Sequence, residues 1–104
     1  MPYLILAFDH EGKEIIRESL REKHRAHLKM MEKKLLGSGA LLSDDGKTII
    51  GGMSILDTEN YDEARKFSDD DPYAISGIRK ETQIIRWRNR WWNREFIGDK
   101  SETN

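Results

Sequence analysis

Two features carry side chains suited to proton chemistry: a histidine inside an apolar helical stripe, His27 in Arg25-Ala26-His27-Leu28-Lys29-Met30-Met31, and an Asp71-Pro72-Tyr73 turn about forty residues later. An imidazole has an unperturbed pKa of about 6.5, so it gives or takes a proton near neutral pH. A carboxylate bonded to one ring nitrogen fixes the tautomer and favours the charged ring, whereas burial favours the neutral one. Together the two features suggest a buried imidazole with a carboxylate partner. Each also has a plainer reading, since histidines pack into cores and Asp-Pro is a common turn opening. Asp9 follows the first apolar run and either borders a pocket or starts a turn. Tyr73 offers a hydroxyl to a ligand or anchors its turn. His24 lies one turn before His27, and a helical His-x-x-His pair is able to hold a metal. No Glu accompanies it at a suitable spacing, so neither metal nor cofactor is assigned.

These side chains need elements to hold them. Residues 3–8 form a short apolar run ended by Asp9-His10-Glu11-Gly12, a strand followed by a turn. A helical pattern begins near Lys13, where Ile16, Leu20, His24, His27, Leu28, Met31 and Leu35 fall within about 120° of arc. Lys33 and Lys34 near its end, then Gly37 and Gly39, read as a cationic last turn and a glycine stop. Residues 40–42 and 48–56 flank Ser43-Asp44-Asp45-Gly46-Lys47, a hairpin loop, and Gly51-Gly52 marks a bulge or a close backbone approach. Asn60 and Glu63 have capping-box spacing before a second helix that stops ahead of Pro72. A last strand is expected over residues 80–91.

The order strand, helix, strand, strand, helix, strand predicts an α+β fold, the ferredoxin-like βαββαβ antiparallel sheet with both helices on one face. At 104 residues, one domain is expected over residues 1–95, with a polar tail over 96–104. Only 37% of residues are hydrophobic and 36% are charged, so a second copy is the expected cover for the other face of the sheet. There is no cysteine, which excludes disulfides, thiol nucleophiles and Cys-based zinc sites. The opening residues read as a strand rather than a leader, and no stretch approaches the roughly 20 apolar residues of a membrane span. A cytoplasmic protein without membrane contact is the expectation.

At this point the chain resembles the YCII-related family of the dimeric α+β-barrel superfamily. The resemblance rests on Phe8-Asp9 ending the first strand, His27-Leu28 with Met31 on the first helix, the glycines of the third strand, and Asp71-Pro72-Tyr73 after the second helix. It implies a homodimer, a dimeric α+β barrel with sheets packed face to face and a small-molecule pocket between sheet and helices in each subunit. It also places the family's His-Asp pair on His27 and Asp71, with Asp9 and Tyr73 as substrate-binding candidates. Lyase- or isomerase-like proton transfer follows as the expected chemistry. A non-enzymatic small-molecule binder uses the same pocket and stays open at this stage.

A rival of another class comes from the C-terminal segment, where Arg86, Arg88, Arg90 and Arg94 interleave with Trp87, Trp91 and Trp92 as single-strand nucleic-acid binders require. In a strand, Arg86, Arg88 and Arg90 share one face while Ile85, Trp87 and Trp91 share the other, which reads as interface packing. The net charge of −1 also argues against a nucleic-acid partner. Residues 57–71 carry seven acids and residues 79–94 six bases, patches that are able to pair across a subunit boundary.

Overall fold

The computed structural model describes residues 1–98; residues 99–104, most of the expected polar tail, lie outside the described residues. Strand β1, Tyr3–Asp9, alternates as a sheet strand should, with Tyr3, Ile5 and Ala7 buried on one side and Leu4, Leu6 and Phe8 half-buried on the other. It pairs antiparallel with β3, Ile49–Leu56, and with β4, Arg79–Arg86. Strand β2, Leu35–Leu42, completes an antiparallel sheet in the order β2-β3-β1-β4. Helices α1, Glu14–Ser19, and α2, Arg21–Lys29, connect β1 to β2, and α3, Tyr61–Asp69, with α4, Pro72–Ile75, connects β3 to β4. This is the expected ferredoxin-like arrangement. Tyr3, Ile5, Leu56, Ala64 and Phe67 form the core between sheet and helices, with Leu28, Met31, Leu35 and Ile84 packed against it.

The helical stretch after β1 is two helices rather than one. Leu20, at φ −102° and ψ 0°, ends α1 and starts α2. Ile16, expected on the core stripe, is 42% exposed, and Arg17 is buried instead. Gly37 and Gly39 do not stop a helix; they lie inside β2. The left-handed residue that turns the chain after α2 is Glu32, at φ 52°, in the short 3-10 turn Glu32–Lys34. Gly51 does mark a close approach, because a Cβ there would collide with the Ala7 carbonyl of β1.

Asn60 caps α3, its side-chain oxygen accepting the Asp62 N–H at 2.8 Å. Glu63 does not complete the capping box, since its carboxylate accepts from Lys34 Nζ at 2.8 Å. The chain leaves α3 before Pro72 as expected, and Asp71 caps α4 with proline in the first helical turn.

Strand β4 ends at Arg86 rather than running on to Trp91. The Arg86 guanidinium lies over the Tyr3 ring, donates to the Tyr3 hydroxyl, and donates to Glu59 through both its carboxylate and its carbonyl at 3.0 Å. It is spent within the fold and is not on a continuing strand face with Arg88 and Arg90. Beyond it, β5, Trp91–Trp92, and β6, Glu95–Phe96, form a hairpin that crosses the boundary expected at residue 95. Asn93 and Arg94 turn it with φ of 51° and 70°, the left-handed pair that a tight two-residue hairpin loop requires. Trp91 packs on Phe96 and Trp92 on Trp87, so the tryptophans do not share the face of one long strand.

Candidate active site

Asp71 is the centre of a polar cluster beneath the helices. Its carboxylate accepts from the Tyr73 N–H at 2.9 Å, from Arg79 Nη2 at 3.0 Å and from a histidine ring nitrogen at 2.9 Å. The histidine is His24, not His27. His27 lies one turn further along α2, where its Nε2–H donates to the Phe67 carbonyl at 2.8 Å and its ring stacks on Phe67. The expected pairing of His27 with Asp71 is therefore corrected: both histidines lie on the stripe, but α4 starts opposite His24 while His27 meets the end of α3.

The tautomer of His24 follows from its partner. An ionised carboxylate only accepts hydrogen bonds, so Nδ1 carries the proton that faces Asp71. The other ring nitrogen, Nε2, makes no hydrogen bond to the described residues, and the ring lines the cavity. Burial pushes the Asp71 carboxyl up, but the His24 bond, the Arg79 charge and the Tyr73 N–H together hold it below the usual carboxylate range. For Tyr73, burial raises the phenol above its ordinary value against the opposing charge of Arg17.

Arg79 reaches the cluster through a bulge. Along β4, Arg86, Ile84 and Thr82 pair with Tyr3, Ile5 and Ala7 on the helix side, so regular alternation would send Arg79 to the opposite side. A register shift between Phe8 and Asp9 sets Arg79 opposite Asp9 and turns it towards the helices. No sequence signal marked it. Arg17 was legible in principle, because one residue past Ile16 it falls within the arc of the apolar stripe, and a charge inside such an arc is a flag.

Asp9 and Tyr73 stand in different positions. Asp9 does not line the cavity; it sits behind Arg17, accepting from Nη1 at 2.7 Å through one oxygen while the other is buried without a partner among the described residues. Tyr73 does line it, with the His24 ring stacked at 4.1 Å and the Arg17 guanidinium 4.2 Å from the ring centroid. Two planar groups so near one centroid cannot share a face. They flank Tyr73 on opposite sides, and the phenol ring sets the spacing between them.

The cavity these groups line has a volume of about 360 Å³ and lies between the helix side of the sheet and α2 and α4. Ser38 and Ser54, linked hydroxyl to hydroxyl at 3.0 Å, lie on its sheet side. A larger cleft of about 690 Å³ opens elsewhere, where the end of α2 runs beside α3, and His27, Met30, Met31 and Phe67 line it. Of its three lining lysines, Lys34 and Lys66 are tied to Glu63 and Asp70 near the surface. The smaller cavity is lined by the buried Asp71 and Arg17 together with the half-buried His24 and Arg79, and it is the candidate site. Among the described residues no three His, Cys, Asp or Glu side chains come together as metal ligands. No helix of the described residues is long and apolar enough to cross a membrane.

A family model described as the YCII-related domain matches residues 1–88. Among solved structures, the chain is similar to 5-chloro-2-hydroxyhydroquinone dehydrochlorinase from Burkholderia phenoliruptrix, determined with 2,5-dihydroxybenzoquinone. The two share 28% identity over 86% of this chain and 95% of that one, with a TM-score of 0.78. No curated protein matches.

Proposed function

The chain belongs to the YCII-related family, and from that premise we propose that it is a cytoplasmic, single-domain homodimer that catalyses lyase- or isomerase-like proton transfer on a small cyclic molecule, with His24 as acid or base and Asp71 as its orienting partner. The observation that carries this reading is the bond of His24 Nδ1 to a buried, ionised Asp71, itself held by Arg79. That arrangement fixes one tautomer and leaves Nε2 with the cavity as its outlet, as acid–base catalysis requires. The similar dehydrochlorinase, whose named substrate is a hydroxylated ring, supports a planar ligand of that size. The dimer is supported by the second face of the sheet, where Leu4, Leu6, Phe8 and Met53 stay half-buried and Ile85 is exposed.

The test needs no knowledge of the natural substrate. Incubated in D2O with 2,5-dihydroxybenzoquinone, the protein should accelerate exchange of the ring C–H protons, read by NMR, because a proton added to carbon and then removed is the same elementary step. His24→Gln and Asp71→Asn should lose the acceleration, and His27→Gln should keep it. Exchange undiminished in folded His24→Gln would remove His24 from the chemistry.

A further inference from the structure

Arg17 is a buried cation that the proton-transfer reading leaves without a task. It comes from α1, as that helix's one buried residue, and it is 8% exposed. Asp9 anchors Nη1 from behind and Tyr73 supports the guanidinium face, so the orientation is fixed on two sides. Among the described residues no other protein group accepts from it. Nη2 stands 3.5 Å from the point where a Cβ on Gly52 would sit, and Gly52 lines the cavity floor on β3. The missing side chain leaves a space beside an unspent charged donor. Arg21, Arg25 and Arg79 line the same cavity, against Asp71 as its one lining carboxylate. The exposed carboxylates that pair with Arg21 and Arg25, Glu18 and Glu22, hold them only loosely.

Building on the proposed proton transfer, we infer that Arg17 Nη2 is the anion-binding donor of the cavity and that the ligand is a small planar acid whose ionised oxygen, a phenolate, enolate or carboxylate, sits over Gly52 while a ring atom faces His24. Tyr73 spaces the two poles by flanking each with one of its faces, so a ligand running past its edge touches both. A guanidinium here also favours negative charge that builds on that oxygen when a proton leaves the ring, which is electrostatic stabilisation of the transition state. Asp9 is then a positioning residue: it holds Arg17 and does not meet the ligand.

The probes are 2,5-dihydroxybenzoquinone, an acidic enol ionised near neutral pH, and hydroquinone, a neutral ring of similar size. Binding is measured by calorimetry on the full chain. The wild type should bind the anion more tightly than hydroquinone. Arg17→Met should weaken anion binding by about 10- to 100-fold, the range of a charge-assisted hydrogen bond, and leave hydroquinone little changed. Gly52→Ala guards against a variant that does not fold. Its methyl makes ordinary contacts, 3.5 Å from Arg17 Nη2 and from the Gly39 carbonyl, yet fills the space assigned to the oxygen, so it too should weaken the anion selectively. Anion binding unchanged in Gly52→Ala or in folded Arg17→Met overturns the role of Arg17 and leaves the His24 reading standing. Equal loss of both probes marks a structural role and also overturns it. Failure of the wild type to bind either probe overturns the cavity as the site, and both readings fall together.

Discussion

Replacing Asp71 by Asn keeps size and shape and removes one charge from the centre of the cluster. In the wild type the side chain is 4% exposed and accepts from His24, Arg79 and the Tyr73 N–H. Asparagine still caps α4, so helix capping is nearly conserved. What changes is Arg79: its side chain is 12% exposed, its Nε already lacks a partner among the described residues, and it loses the one ion-pair partner it has among them. Breaking a buried ion pair from one side costs about 3–5 kcal/mol, and the adjoining cavity admits enough water to favour the lower end. About 3 kcal/mol corresponds to a fall in melting temperature of roughly 12–24 °C in a domain of this size. Urea unfolding at fixed protomer concentration measures it. Because the folded Asp71 carboxyl lies below its ordinary value, its contribution is fully present above the unfolded pKa of about 3.9 and is lost as pH falls through the lower folded value. The gap between wild type and variant should close as the solution is made more acid than about pH 4. Adding Arg79→Met to Asp71→Asn should restore about 2 kcal/mol or more by removing the stranded cation. A gap under about 1 kcal/mol at pH 7, or one that persists unchanged in strong acid, would refute the placement of an ionised carboxylate here.

His27→Gln gives up the bond to the Phe67 carbonyl and the stack on its ring, and should cost about 1–2 kcal/mol in urea unfolding while leaving the tautomer of His24, read from its ring 15N shifts, as it was. Gly51→Ala drives a methyl into the Ala7 carbonyl between the two central strands and should cost about 3 kcal/mol or prevent folding, whereas Gly39→Ala, with nothing within 4 Å, should stay within about 1 kcal/mol; chemical denaturation of the pair checks both. Leu6→Asp puts a charge in the middle of the second sheet face and should halve the mass measured by sedimentation; an unchanged mass speaks against that face as the dimer contact.

Patterns that depend on local periodicity were readable from residues alone. A short apolar run ended by a turn gave β1, the Asp-Gly loop gave the β2–β3 hairpin, Asn60 and Pro72 bounded α3, and their order gave the sheet. Two departures from periodicity fall where one residue changes the phase. A single extra residue in β4 sends Arg79 to the helix side, and a single break at Leu20 replaces Ile16 by Arg17 in the interior. Periodicity across the first point puts Arg79 on the wrong face, and across the second it puts Ile16 inside. The histidines illustrate a different limit. His24 and His27 share one stripe, and the arc that identifies the stripe does not say which element lies opposite each turn. That depends on where α3 ends and α4 begins, and therefore on Asp71 being a cap: a capping residue has extended backbone, here φ −62° and ψ 130°, and turns its carboxylate back over the first turn of its own helix. The same carboxylate that satisfies the Tyr73 N–H is thereby aimed at α2, so capping α4 and bonding the His24 ring are not alternatives for Asp71. One cap orders the end of the helical layer and fixes the imidazole, and the cost of removing it should appear in stability and in proton exchange together.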